Sequence, residues 1–184
     1  MNKLLLVLGT CLLLVGVSPH NYAETPNGQL IEVKTKTFDG EKFNFPADLQ
    51  GNPVTVLMLA ISDSKEQGER QQQELLEWQT AIDASGGLPS GILVYHFPVL
   101  KDSFFLPSGI IRNAMADSYK DKVAPAQSGV LFIKNLDEFL ASAGISMDDQ
   151  ATVVIVDVQA NVLAQIKGTV TDEKLATLRS ALKS

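Results

Sequence analysis

Residues 52–82 read NPVTVLMLAISDSKEQGERQQQELLEWQTAI. Pro53–Ile61 is a continuous apolar run of strand length, which suits a strand buried on both faces. A long helical pattern follows from Lys65 to about Ile82, with Leu75, Trp78 and Ile82 recurring on one face. Ser62, Asp63 and Ser64 join the two. A buried strand feeding a helix through a short loop is the site-bearing unit of open α/β sheets, because ligands gather at the carboxyl ends of the strands. This junction carries no cysteine and no Gly-rich phosphate loop.

Upstream, Phe38-Asp39-Gly40-Glu41-Lys42-Phe43 places Asp-Gly at the turn of a β-hairpin, and Gly51-Asn52-Pro53 breaks the chain before the central strand. Ser64-x-x-Gln67 is a capping box for the long helix, and Ser85-Gly86-Gly87 ends it. Ile92–Phe97 is a second buried strand, closed by Pro98. Residues 98–109 read as an irregular, Phe-rich connection. Ser108 is expected to cap a helix from Gly109 to about Lys122, with Ile111, Met115 and Tyr119 at i, i+4 and i+8. Gly129–Ile133 is a short strand. Asn135 caps a short helix ending at Gly144. Ala151–Val156 is a Val-rich strand, and Asp157–Asn161 is a tight turn in which Asn161 suits a left-handed conformation. Val162–Lys167 pairs back antiparallel. Thr171 caps a last helix with Leu175, Leu178 and Leu182 inside. The alternation implies α/β architecture: a mainly parallel sheet with helices on both faces, an N-terminal β-hairpin and an antiparallel edge, hence a mixed sheet overall.

The chain has 184 residues, one cysteine and a formal net charge of −6. Lys3, the apolar run Leu4–Val17 and the exit ending at Ala23 have the order of a secretory signal peptide. Residues 1–23 are therefore expected to be removed, leaving 24–184 as one periplasmic or secreted domain. Without cleavage the same segment would serve as an anchor; with it, no stable membrane insertion is expected. The sole cysteine, Cys11, lies in the signal. The exported domain then has no disulfide, thiol nucleophile or thiolate metal ligand, and His96 is its one histidine. The acidic balance offers nothing to nucleic acid.

This layout resembles the thioredoxin-like superfamily, in particular its secreted redoxin and peroxiredoxin branch, over about residues 30–184. The carrying pieces are TFDGEKFNFPADLQGNPVTVLMLAI at the front and ATVVIVDVQANVLAQIKG followed by TDEKLATLRSAL at the back. The resemblance implies a thioredoxin-like fold. It also implies where redox chemistry would sit, and the sequence departs there. The family's cysteine pair falls in the window Ser64-Lys65-Glu66-Gln67-Gly68, and its cis-proline position reads Gln150-Ala151-Thr152. Thiol exchange needs a thiolate, so that activity does not carry over. A narrower similarity, to the thioredoxin-like mitochondrial ATP-synthase assembly factor family and its bacterial relatives, rests on FNFPADLQG, the Gln71-Gln72-x₅-Trp78 spacing, YHFPVL and IIRNAMADSYKDK. It implies a chaperone or assembly role.

The candidate binding residues are Ser62, Asp63, Ser64, His96, Phe104, Phe105, Arg112 and Ala151. Ser62–Gln67, His96–Pro98 and Met147–Ala151 are expected together at one sheet edge, with Phe104 and Phe105 on its rim as apolar anchors for a protein or peptide partner. Arg112 could grip a carboxylate or phosphate, or form a surface ion pair. Asp148-Asp149 could bind a cation weakly or shape a solvated turn. No catalytic residue, cofactor or metal site is assigned. The competing hypothesis is an enzyme using His96 with Asp63 or Asp149 in one cleft; otherwise His96 is a buried histidine bonded to a loop carbonyl.

Overall fold

The structure is a computed structural model that describes residues 28–102 and 107–183. The expected signal segment, Phe104 and Phe105 lie outside these residues. The elements are β1 (Gly28–Gln29), β2 (Val33–Lys36), β3 (Lys42–Phe45), β4 (Val54–Leu59), α1 (Lys65–Ala84), β5 (Leu93–His96), β6 (Val99–Lys101), α2 (Ser108–Tyr119), β7 (Leu131–Ile133), α3 (Leu136–Ala143), β8 (Thr152–Asp157), β9 (Asn161–Lys167) and α4 (Asp172–Ala181).

The main sheet has the order β1-β9-β8-β4-β5. Only β4 and β5 run parallel within it; β4–β8, β8–β9 and β9–β1 are antiparallel. The mixed sheet is as expected. The antiparallel pairing is not confined to an edge, however, because β8 lies beside β4 in the middle. The reason is burial. Thr152–Val156 are all buried, and such a run needs a strand on each side and a layer on each face.

Side-chain alternation along β4 divides the interior in two. Leu57, Leu59 and Ile61 join Phe43, Phe45, Tyr95, Phe97 and Phe139 on one face, under the β2–β3 hairpin and α3. Val54, Val56, Met58 and Ala60 join Leu75, Trp78, Ile82, Leu178 and Leu182 on the other, under α1 and α4. The hairpin and the aromatic cluster therefore form one layer, and the long and last helices the other.

Local signals mostly place the helix ends. Ser64, Asn135 and Thr171 each accept a bond from the backbone N–H three residues on, which satisfies a donor that the helix leaves orphaned. Gly144 closes α3 at φ 64°, in the left-handed region that glycine enters without a Cβ penalty. Helix α2 departs from expectation. Ser108 is its first residue and Pro107 its cap position, with no side-chain cap bond, and the helix stops at Tyr119. Residues 98–109 are not wholly irregular either, since Val99–Lys101 pairs in parallel with Leu131–Ile133. At the β8–β9 turn the left-handed residue is Ala160, not Asn161. The Asp157 carboxylate accepts both the backbone N–H and the side-chain amide of Asn161, which holds Asn161 as the first residue of β9.

Trp78 locks the second layer. It is fully buried, and its indole N–H donates to the Gly168 carbonyl at 2.9 Å, tying α1 to the end of β9. Trp78→Phe keeps most of the ring but leaves that buried carbonyl without its donor. Urea unfolding is expected to show a loss of about 1–3 kcal/mol; an unchanged midpoint would mean that the bond contributes nothing.

Candidate functional site

The carboxyl end of β4 is built from polar groups that satisfy one another. Ile61 N–H must find an acceptor where the strand gives way to α1, since a buried donor left unpaired costs about 1–3 kcal/mol. Gln71, fully buried in the second turn of α1, supplies it. Its Oε1 accepts from Ile61 N at 2.6 Å, and its Nε2 donates to the Asp148 carbonyl at 3.1 Å. One amide thus joins strand end, helix and the loop before β8.

Neighbours on α1 extend the same seam. Gln67 Nε2 donates to Asp149 Oδ1 at 2.6 Å, Arg70 donates to the Asp149 carbonyl at 3.4 Å, and Glu74 accepts the Ala151 N–H at 3.4 Å. From the far side, Lys167 pairs with the Asp148 carboxylate and donates to Ser146 Oγ at 2.6 Å. The acidic pair Asp148-Asp149 is engaged in holding this loop. Among the described residues no group of His, Cys, Asp and Glu has the arrangement of a metal site.

The candidate residues separate accordingly. Ser62 is buried; its hydroxyl donates to the Ser64 carbonyl at 2.8 Å and accepts the Ser64 N–H at 3.0 Å. The capping box is therefore half formed. Ser64 Oγ accepts from Gln67 N, but the Gln67 side chain crosses to Asp149 instead of returning to Ser64 N. Asp63 is exposed at the head of α1. Ala151 is buried, and its carbonyl accepts from Gly168 N at 2.7 Å. The peptide before Ala151 is not cis; the cis peptides among the described residues precede Pro46 and Pro53. Ser62–Gln67 and Asp148–Ala151 are thus brought together. Arg112 is half-buried on α2 and makes no ion pair among the described residues.

His96 is elsewhere. It pairs with Met58 in the sheet, and its side chain points to the α1 face, where Nε2 lies 3.0 Å from Gln79 Oε1. Gln79 is twelve residues beyond Gln67, about 18 Å along the helix. His96 is therefore remote from Asp149, which is bound at Gln67, and further still from Asp63. The enzyme hypothesis needs these groups in one cleft, and the fold holds them apart. The partner of His96 is an amide, not the loop carbonyl or carboxylate that the sequence suggested. Its ring meets Tyr119 edge-on at 5.9 Å between centroids, and both His96 Nδ1 and the Tyr119 hydroxyl are buried without a hydrogen-bond partner. Burial disfavours the imidazolium and lowers the His96 pKa to about 3, so the ring is neutral at ordinary pH.

A cleft of about 540 Å³ opens beside His96, between the second half of α1, β5 and residues 121–127. Sequence reasoning missed both this cleft and Gln71. The signal for Gln71 was present: it stands four residues before Leu75 on the stripe that continues through Trp78 and Ile82, a polar residue on an apolar face.

Neither a protein-family model nor a curated protein matches this sequence. Solved structures do match in fold. BsSco, described as a member of the Sco family of cytochrome c oxidase assembly proteins, aligns at TM-score 0.58 and 13% identity over 88% of this chain and 97% of its own. A SCO1/SenC family lipoprotein from Bacillus anthracis str. Ames aligns at TM-score 0.58 and 13% identity, over 88% and 98%. A thiol:disulfide interchange protein from Bacteroides sp. aligns at TM-score 0.50 and 13% identity, over 87% and 92%.

The buried neutral histidine makes stability depend on pH with a definite sign. Below its ordinary value of about 6.5 the unfolded chain takes up a proton that folded His96 refuses until about pH 3. The contribution is complete above pH 6.5 and falls by about 1.4 kcal/mol per pH unit as the solution is acidified toward 3. Chemical unfolding at pH 7 and pH 5 is expected to show a larger loss for the natural protein than for His96→Gln; parallel losses would mean that His96 titrates normally.

Proposed function

We propose that this chain, which has the thioredoxin-like fold, is a redox-inactive, exported member of that architecture that works by binding another protein, as a chaperone or assembly factor. One observation carries the reading. Where the fold's redox pair would sit, Ser62–Gln67 meets Asp148–Ala151 through amides, carboxylates and backbone groups already bonded to one another. The only cysteine in the chain is Cys11, in the signal-like segment, and neither edge segment carries a thiol. With residues 1–23 removed, thiol–disulfide exchange has no nucleophile.

Description of BsSco as belonging to a family of assembly proteins makes an assembly role a natural use for the same scaffold without a cysteine pair. Export rests on the signal-like residues 1–23, and the periplasm or the exterior is the compartment we assign. No helix among the described residues is long and apolar enough to cross a membrane. The partner-facing surface we assign is the rim of the strand-end edge: exposed Asp63, Met147 at 42% exposure, and the Phe104-Phe105 pair.

The exported protein is expected to reduce insulin no faster than buffer, while crosslinking in its own compartment yields a discrete protein adduct. Replacing Phe104 and Phe105 by Ser is expected to diminish that adduct with little change in melting temperature. Turnover that a thiol-blocking reagent abolishes would contradict the reading, and so would an absence of any adduct.

A further inference from the structure

Strand β5 is the outer strand of the main sheet beyond β4. Its odd-numbered positions bond inward, as Phe97 N to the Met58 carbonyl shows, so its even-numbered positions face outward. At His96 the outward carbonyl is taken by Gly129 N at 3.1 Å. One step earlier the ladder stops, because residues 125–127 curl into a 3₁₀ turn instead of continuing alongside. The N–H and C=O of Val94 then have no partner among the described residues and face the cleft. Ile82, Leu88, Val94 and Val123 form its apolar walls, and His96 and Gln79 lie at its inner end.

Two further features distinguish this opening from an ordinary surface groove. His96 Nδ1, on a side chain that is 1% exposed, lacks a hydrogen-bond partner. The lip carries two carboxylates, Asp83 and Asp121, against one amine, Lys122, and neither carboxylate is in an ion pair among the described residues. The lip is therefore net acidic and suits a cation.

We propose that this cleft takes an extended segment of the partner protein, added as a short strand along the free edge of β5, with an apolar side chain between Ile82 and Val123 and a lysine or arginine beside Asp83 and Asp121. The assignment rests on the protein-binding reading and goes beyond it, adding a second contact surface to the strand-end rim. Strand addition draws affinity from main-chain bonds, here those of Val94, and specificity from pockets for alternate side chains. Neutral His96 forms the inner wall without presenting a buried charge to the apolar side chain.

The test is selection of a random displayed heptapeptide library on the purified exported protein, followed by NMR titration with the enriched peptides. The expected winners combine apolar residues with a Lys or Arg, shift the amides of Val94, Tyr95 and Val123, and bind more weakly as salt is raised. Ala124→Trp, which fills the cleft from an exposed position on its wall, is expected to weaken binding at least tenfold while leaving the rest of the spectrum in place. Val94→Pro removes the outward N–H and should act likewise. Winners that shift residues 62–67 and 148–151 would overturn the cleft assignment and leave the protein-binding reading standing. Binding indifferent to Ala124→Trp, or no enrichment at all, would also overturn it. Thiol turnover would defeat the underlying reading whatever the peptides do.

Discussion

The amide of Gln71 stands at the junction on which the remaining geometry depends. A central strand that ends in the interior leaves its last N–H groups without sheet partners, and water cannot reach them. Gln71 turns back from α1 to accept from Ile61 and at the same time donates to Asp148. Two orphaned backbone groups are satisfied by one side chain that is itself fully buried. Buried polar groups of this kind rigidify a structure when all are paired and weaken it when one is not. The first two turns of α1, the exit of β4 and the entry of β8 consequently form one unit, with Gln67, Arg70, Glu74 and Lys167 as outer ties.

That unit leaves few polar groups at this sheet edge without a partner. Its oxygen and nitrogen atoms largely serve one another. The buried histidine lies apart from this unit. His96 sits on the α1 face beside Gln79, more than two helical turns from Gln67, and burial keeps it neutral. A rigid frame of this kind lowers the ordering cost of any binding at its surface.

Much of the fold was legible because single positions carried it. The all-apolar runs of β4 and β8 announce burial on both faces, and Ser64, Asn135 and Thr171 mark helix starts through side chains that accept backbone N–H bonds. Harder to read were features decided by distant partners. Strand β6 is three residues long and opens after Pro98, so its identity comes from β7, not from its own pattern. The central place of β8 follows from what covers it. Asn161 looked like the left-handed residue until its side chain was seen to be held by Asp157, which passes that conformation to Ala160. In the site, the meeting of Ser62–Gln67 with Asp148–Ala151 follows from strand ends alone. The placement of His96 does not, because it depends on where β5 registers against β4.

Amide hydrogen exchange at Ile61 most directly tests whether the strand-end edge is closed by its own side chains. In the natural protein Ile61 is expected to exchange as slowly as the core amides of β4, and Gln71→Ala is expected to speed Ile61 and Ala151 by tenfold or more relative to Val154. Fast exchange at Ile61 in the natural protein, or no change in the variant, would show that the edge is open and that the account of this junction is wrong.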